Sequence, residues 1–202
     1  MDNIFIFSDI LEDLHRKTNH VLNVLQDNDL FLKPEKCVFE VQEAEFFGMI
    51  ICPDNIHMDP TKLAGIQQWP EPHTVKQLHS FLGFCDFYHH FIPNYSSIAY
   101  PLNELTCTNE PWKWNKLCAN TFATLKNLFS SQPALLIPDK TKLFILKTDA
   151  SKVASGAVLY QANSNGDLQP CSFISEAFGS AQQQYKVYDQ ELLGIICGLT
   201  AW

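Results

Sequence analysis

No stretch of this sequence approaches the ~20 consecutive apolar residues that a membrane-spanning helix needs, so no such helix is expected. No basic region precedes the opening apolar run IFIF, which therefore does not read as a secretory signal. The 7 cysteines (37, 52, 85, 107, 118, 171 and 197) are odd in number and never closely paired. That spacing argues against a disulfide framework and against a zinc site, and favours reduced thiols in an intracellular, reducing compartment. Positive charge is also scarce: 14 Lys+Arg stand against 22 Asp+Glu, a net charge of −8. Affinity for phosphate backbones comes largely from Lys and Arg displacing counterions, so any nucleic-acid role must overcome this balance. Repeats and low-complexity tracts are missing too.

What is there is the composition of a globular protein. Of 202 residues 46% are hydrophobic and 12% aromatic, including 15 phenylalanines, enough for one large core or two small ones. MDNIFIF reads as a turn feeding a buried strand. Asp9 and Glu12 suit a variant capping box for a helix carrying Leu11, Leu14, Val21, Leu22 and Leu25 until about Asp29. Cys37, Phe39 and Val41 alternate as in a half-buried strand, and Phe46–Ile51 is a second apolar run.

The character changes at Asp59-Pro60, a good helix start because proline at the first helical position loses no bond. Leu63, Ile66 and Trp69 form its stripe. Thr74 then caps a helix with Val75, Leu78, Phe81, Leu82 and Cys85 inward. A shorter helical piece around Ser97–Leu105 and a longer one facing inward through Phe122, Leu125, Leu128 and Phe129 follow. Beyond Pro133 and Pro138, LFILKTDAS, SGAVLYQ and Cys171–Ser175 read as three strands, with Asn165-Gly166 suggesting a turn. A final helix is expected from about Ala181, with Tyr188, Leu192, Ile195, Ile196 and Leu199 as its buried stripe.

The pair able to carry chemistry is Asp149, where an apolar strand ends, and Glu191, on the stripe edge of the final helix. Converging carboxylates repel unless neutralised, and a hard cation such as Mg²⁺ takes carboxylate oxygens together with water and phosphate. Such a site suits two-metal phosphodiester hydrolysis. Taken singly, an aspartate after a strand is also a common turn residue, and a helical glutamate is usually solvated.

TDAS, GAVL, the FIS strand and YKVYDQELLGI, in that order, resemble the ribonuclease H domain of retroelement polyproteins. Upstream, FFGMII, MDPTKL, WPEPHTVKQLHSFLGF, FYHHFI and PLNEL are similar to gypsy-type LTR retrotransposon reverse transcriptases, over essentially the whole chain. The resemblance implies an α+β protein: a palm-remnant hairpin (1–57), a helical thumb-like segment (58–134) and the first half of a ribonuclease H-like α/β domain (135–202). It implies that Asp149 and Glu191 are metal-binding catalytic acids. Asp2 would be the first aspartate of the polymerase Tyr-Met-Asp-Asp motif, with Asn3 where the second belongs. Phe46, Phe47, Gly48 and Met49 would be the primer grip, and the helical segment would clamp a duplex. The implied cofactor is Mg²⁺, and the implied partners are an RNA–DNA hybrid or DNA primer-template, or an intact Pol polyprotein.

The chain departs from the pattern where His89, His90 and His79 stand in place of usual arginines. Histidine is mostly neutral at pH 7, so phosphate contact at His89 and His90 is expected to be weaker. With further family acids lying beyond Trp202, the chain alone is expected to perform neither RNA-directed DNA synthesis nor RNA hydrolysis at a useful rate.

Overall fold

A computed structural model describes residues 3–107, 111–131 and 134–202. The centre is a helical core built as the sequence suggests. Helix α2 (Pro60–Gln67) starts on Asp59, whose carboxylate accepts from the Thr61 N–H at 2.8 Å, and α3 (Val75–Phe87) on Thr74, whose hydroxyl accepts from the Gln77 N–H at 3.2 Å. Each side chain satisfies one of the amides that a helix start leaves without a partner. Helices α4 (Tyr95–Glu104) and α5 (Lys116–Ser131) complete the layer. Ile66, Leu78, Phe81, Cys85, Leu102 and Leu125 are fully buried, with Phe81 packed between Trp69 and Phe122. Burying each large apolar side chain contributes roughly 1.5–3 kcal/mol, so this layer is the main anchor of the molecule.

Two antiparallel sheets flank it. The first has the order β1 (Ala44–Phe46), β2 (Met49–Ile51), β3 (Asn55–Met58) and β4 (Leu135–Leu136). Residues 135–136 pair with β3, so the chain crosses the division expected at 134/135 within a sheet. The second sheet is β5 (Phe144–Ala150), β6 (Ala154–Ala162) and β7 (Leu168–Ala177), in that order, with β5 on an outer edge. Helix α6 (Val187–Ala201) lies over β5 and β6.

Several expectations fail near the N-terminus. Ile4–Phe7 forms no strand, since no segment among the described residues offers it a ladder. Phe5 instead packs on Phe46, ring centroids 5.3 Å apart. Helix α1 (Leu11–Asp27) is capped at Ile10 without any side-chain bond, so the box at Asp9 does not form, and it buries none of its residues. Asp13 is taken instead by Ser8, Arg16 and Lys17, which hold its carboxyl well below the usual range. The segment with Cys37, Phe39 and Val41 is not a strand, and Phe39 and Val41 are exposed. Alternation there has no partner edge to pair with.

The largest reversal is in α6. It begins at Val187, after a short 3-10 turn, rather than at Ala181. Tyr188, Leu192, Ile195, Ile196 and Leu199, expected inside, are exposed. The buried positions are Gln190, Gly194 and Gly198. A Cβ on Gly198 would lie 3.2 Å from the Ala157 Cβ and from both Leu146 methyls, and one on Gly194 would lie 3.5 Å from the Ser155 Cβ. Small residues on both layers let the helix sit close to the sheet, and the large side chains are left outside.

Candidate functional site

The expected primer-grip residues form a tight hairpin. Phe47 at φ 50° and Gly48 at φ 70° join β1 to β2, and two positive φ values in a row give a two-residue turn its matching twist. A bulky residue is uncommon there, and the ring of Phe47 is exposed at the tip while Phe46 packs inward on Phe5. Met49 is half-buried against the helical core. Gly48 is needed twice over. Its φ favours glycine, and a Cβ would fall 2.4 Å from the Tyr88 hydroxyl. That hydroxyl donates to the Gly48 carbonyl at 3.2 Å, and the Asp59 N–H donates to the same oxygen. The room left by the missing side chain is thus taken by Tyr88 of the helical core. The sequence carried no signal for this contact, which spans 40 residues.

His89 and His90 follow α3 in a short 3-10 turn, their rings 3.9 Å apart. The His89 Nδ1–H donates to the Asp86 carbonyl. The His90 Nδ1–H donates to the Phe173 carbonyl of β7 at 3.0 Å, fixing the helical core to the second sheet. Burial holds the His90 imidazole below its usual pKa, opposed by this carbonyl and assisted by His89. One ring nitrogen of each histidine is therefore committed to the protein's own backbone.

Asp149 is the penultimate residue of β5 and is exposed. Its register partner is Gly156. Glu191 is half-buried one turn before Gly194, whose Cβ position lies 3.8 Å from the Asp149 carbonyl oxygen. The structure thus seats the helix bearing Glu191 over the end of the strand bearing Asp149. Leu146 and Ala157 meet α6, so the alternation of the strand turns Asp149 and Lys147 to the other face, which Asn94 and α4 approach at Gly156. The side chain of Asp149 and the helix bearing Glu191 thus lie on opposite faces of the sheet, against the expectation that the final helix brings the two carboxylates together. Asp2, the third expected acid, lies outside the described residues; Asn3 is exposed.

Two carboxylates supply part of what a hard cation needs, the remaining oxygens coming from water and phosphate. Among the described residues no group of three or more His, Cys, Asp or Glu side chains is placed to hold a metal. The described residues therefore do not by themselves form a Mg²⁺ site. All seven cysteines are unpaired, and Cys85 is buried with its thiol pushed up by desolvation.

Residues 114–202 match the family of the RNase H-like domain found in reverse transcriptase. Over 197 residues the chain is 38% identical to the retrovirus-related Pol polyprotein from transposon 297 of Drosophila melanogaster, covering 97% of this chain and 18% of that protein. Over 202 residues it is 33% identical to the transposon Tf2-7 polyprotein of Schizosaccharomyces pombe, covering all of this chain and 15% of that protein. The chain thus spans less than a fifth of these relatives. Among solved structures, the foamy viral protease-reverse transcriptase in complex with RNA/DNA hybrid superposes with a TM-score of 0.80 at 21% identity, over 96% of this chain and 26% of that one. The same viral protein in complex with dsDNA gives a TM-score of 0.77 over 96% of this chain and 40% of that one. At that identity the likeness establishes the fold. Residues 114–202 thus match the RNase H-like domain found in reverse transcriptase, and over nearly its whole length the chain is similar to a part of transposon Pol polyproteins.

Proposed function

We propose that this chain is the part of a reverse transcriptase–ribonuclease H that holds an RNA–DNA hybrid or a DNA primer-template. Asp149 and Glu191 are two of the acids that would hold Mg²⁺ for hydrolysis of the RNA strand. The observation carrying this reading is the match of residues 114–202, which include Asp149 and Glu191, to the RNase H-like domain found in reverse transcriptase. When bound, the cation supplies neutralising charge to phosphate oxygens. The helical core and the exposed Phe47 at the hairpin tip are the surfaces for the duplex. Among the described residues no third acid joins them, and on this reading the chain alone binds without cleaving.

Fluorescence anisotropy of a labelled RNA–DNA hybrid with the purified chain, at rising salt, tests the proposal. Binding that weakens as salt rises is expected, with the RNA strand intact after incubation with Mg²⁺. No binding at low salt would sink the nucleic-acid reading. Cleavage of the RNA that Glu191→Gln abolishes would overturn the claim that the chain alone is inactive.

A second reading is pairing with an intact Pol polyprotein. It is favoured by the outer edge of β5 and the exposed Leu192, Ile196 and Leu199 of α6. Co-purification with the full polyprotein, lost on substituting Leu192 and Leu199 by serine, is the expected sign.

A further inference from the structure

The outer face of the first sheet holds a thiol and an imidazole that the proposed function does not use. Met49, Ile56 and Met58 turn inward to the helical core. Alternation therefore turns Cys52, which follows β2, and His57 of β3 to the opposite face. Register pairs Ile50 with His57, and Cys52 stands two residues on, one diagonal step away on that face. The Cys52 N–H donates to the Asn55 carbonyl at 2.8 Å and closes the turn between the two strands.

The Cys52 Sγ and the His57 Nε2 are 3.6 Å apart. The His57 Nδ1 lies 3.2 Å from the Met58 carbonyl, which can only accept. The ring proton therefore sits on Nδ1, and the Nε2 lone pair is left for the thiol. Both side chains are half-buried. Glu43, one step beyond the pair Ala44–Ile51, faces Cys52 across the ladder and is exposed. Desolvation, and after it the charge of Glu43, pushes the Cys52 thiol up.

We infer that Cys52 and His57 are two ligands of a thiophilic divalent cation of the Zn²⁺ class, with water completing its shell and Glu43 adding negative charge beside it. Metal–sulfur bonds of about 2.3 Å and metal–nitrogen bonds of about 2.0–2.1 Å at the tetrahedral angle set the two ligand atoms about 3.6 Å apart. The thiol and the imidazole already hold that separation. On binding, the cation takes the place of the thiol proton, which leaves to solvent, and no electrons are transferred. The Nδ1–H bond to the Met58 carbonyl is the kind of outer contact that orients a metal-bound histidine. Thiolate and imidazole select Zn²⁺ over the oxygen-seeking Mg²⁺. With two protein ligands the site is open and exchangeable, in keeping with the lack of any three-ligand group among the described residues.

The test is titration of the full, reduced chain with Co²⁺, following the visible absorption of tetrahedral, thiolate-bound cobalt with far-ultraviolet circular dichroism alongside. The parent chain develops this absorption and Zn²⁺ displaces it. Cys52→Ser and His57→Gln each weaken Co²⁺ binding by more than about tenfold, since losing a ligand costs at least as much as losing an outer partner. Glu43→Gln weakens it by up to about fivefold, the scale of one charge near the surface. Cys107→Ser, at an exposed thiol elsewhere, keeps the parent value. In the parent chain Zn²⁺ also slows alkylation of Cys52 by iodoacetamide and leaves that of Cys107 unchanged, a readout that needs no variant to fold. Absence of the absorption in the parent chain, its survival in His57→Gln, or an equal loss in Cys107→Ser overturns the inference. Zn²⁺ protection of both thiols alike, or of neither, overturns it as well.

Discussion

Helices α5 and α6 carry similar apolar stripes and use them oppositely. In α5, Phe122, Leu125 and Phe129 are buried and the stripe is the packing face. In α6 the stripe of Leu192, Ile196 and Leu199 points outward, and Gly194 and Gly198 meet the sheet. The partner surface accounts for the difference. Helix α5 faces other helices, whose large side chains interlock with its own. Helix α6 faces strands that present Ser155 and Ala157, where close approach requires small residues on both sides. An apolar stripe thus marks where a helix can bury surface, whereas the neighbour's side chains decide whether it does so.

The largest effect that sharpens this contrast is at the centre of the helical core. Phe81→Ala should cost about 3–5 kcal/mol in urea denaturation, as deleting a fully buried aromatic side chain does. Leu192→Ser, on the outer face of α6, should change stability by less than about 0.5 kcal/mol. Comparable losses at both positions would break the contrast. An intermediate effect belongs to Gly198→Val, which forces methyl groups against Ala157 and Leu146. Overpacking there should cost about 1–3 kcal/mol by the same measurement, and a neutral result would mean that α6 is free to lift off the sheet.

The smallest effect lies at the seam between the two regions. His90 has a folded-state pKa held below its ordinary value of about 6.5, chiefly by burial. The unfolded chain then binds more protons as the pH falls below that value. The stabilisation is present above about pH 6.5 and is lost as acid titrates the folded group. The urea midpoint should therefore fall on acidification through this range, and His90→Phe should flatten the dependence. An unaltered slope in that variant would remove His90 from the seam.

Much of the fold was legible from local chemistry. The starts at Asp59-Pro60 and Thr74, the inward faces of α3 and α5 and the three strands of the second sheet are short-range patterns that survive folding. The opening residues and the 37–41 segment misled because alternation proposes a strand without supplying the edge it must pair with. In the candidate site, Asp149 at the end of its strand and Glu191 on the final helix were readable, and the motifs around them carried the family. The face to which Asp149 turns was not readable, because it is set by the register with Gly156 and by what packs on each side. The roles of Tyr88 and His90 were equally hidden, since each bonds a carbonyl far along the chain.

By itself the sequence determined the helix caps, the alternation of the strands and the ordered motifs that make the chain similar to transposon Pol polyproteins. These depend on neighbours a few residues away, or on direct likeness. Only the tertiary structure decided that α6 packs through glycines, that the hairpin glycine admits Tyr88, and that Asn94 fills the space over Gly156. Each is a close approach of backbones remote in sequence, and such contacts follow from how whole layers stack.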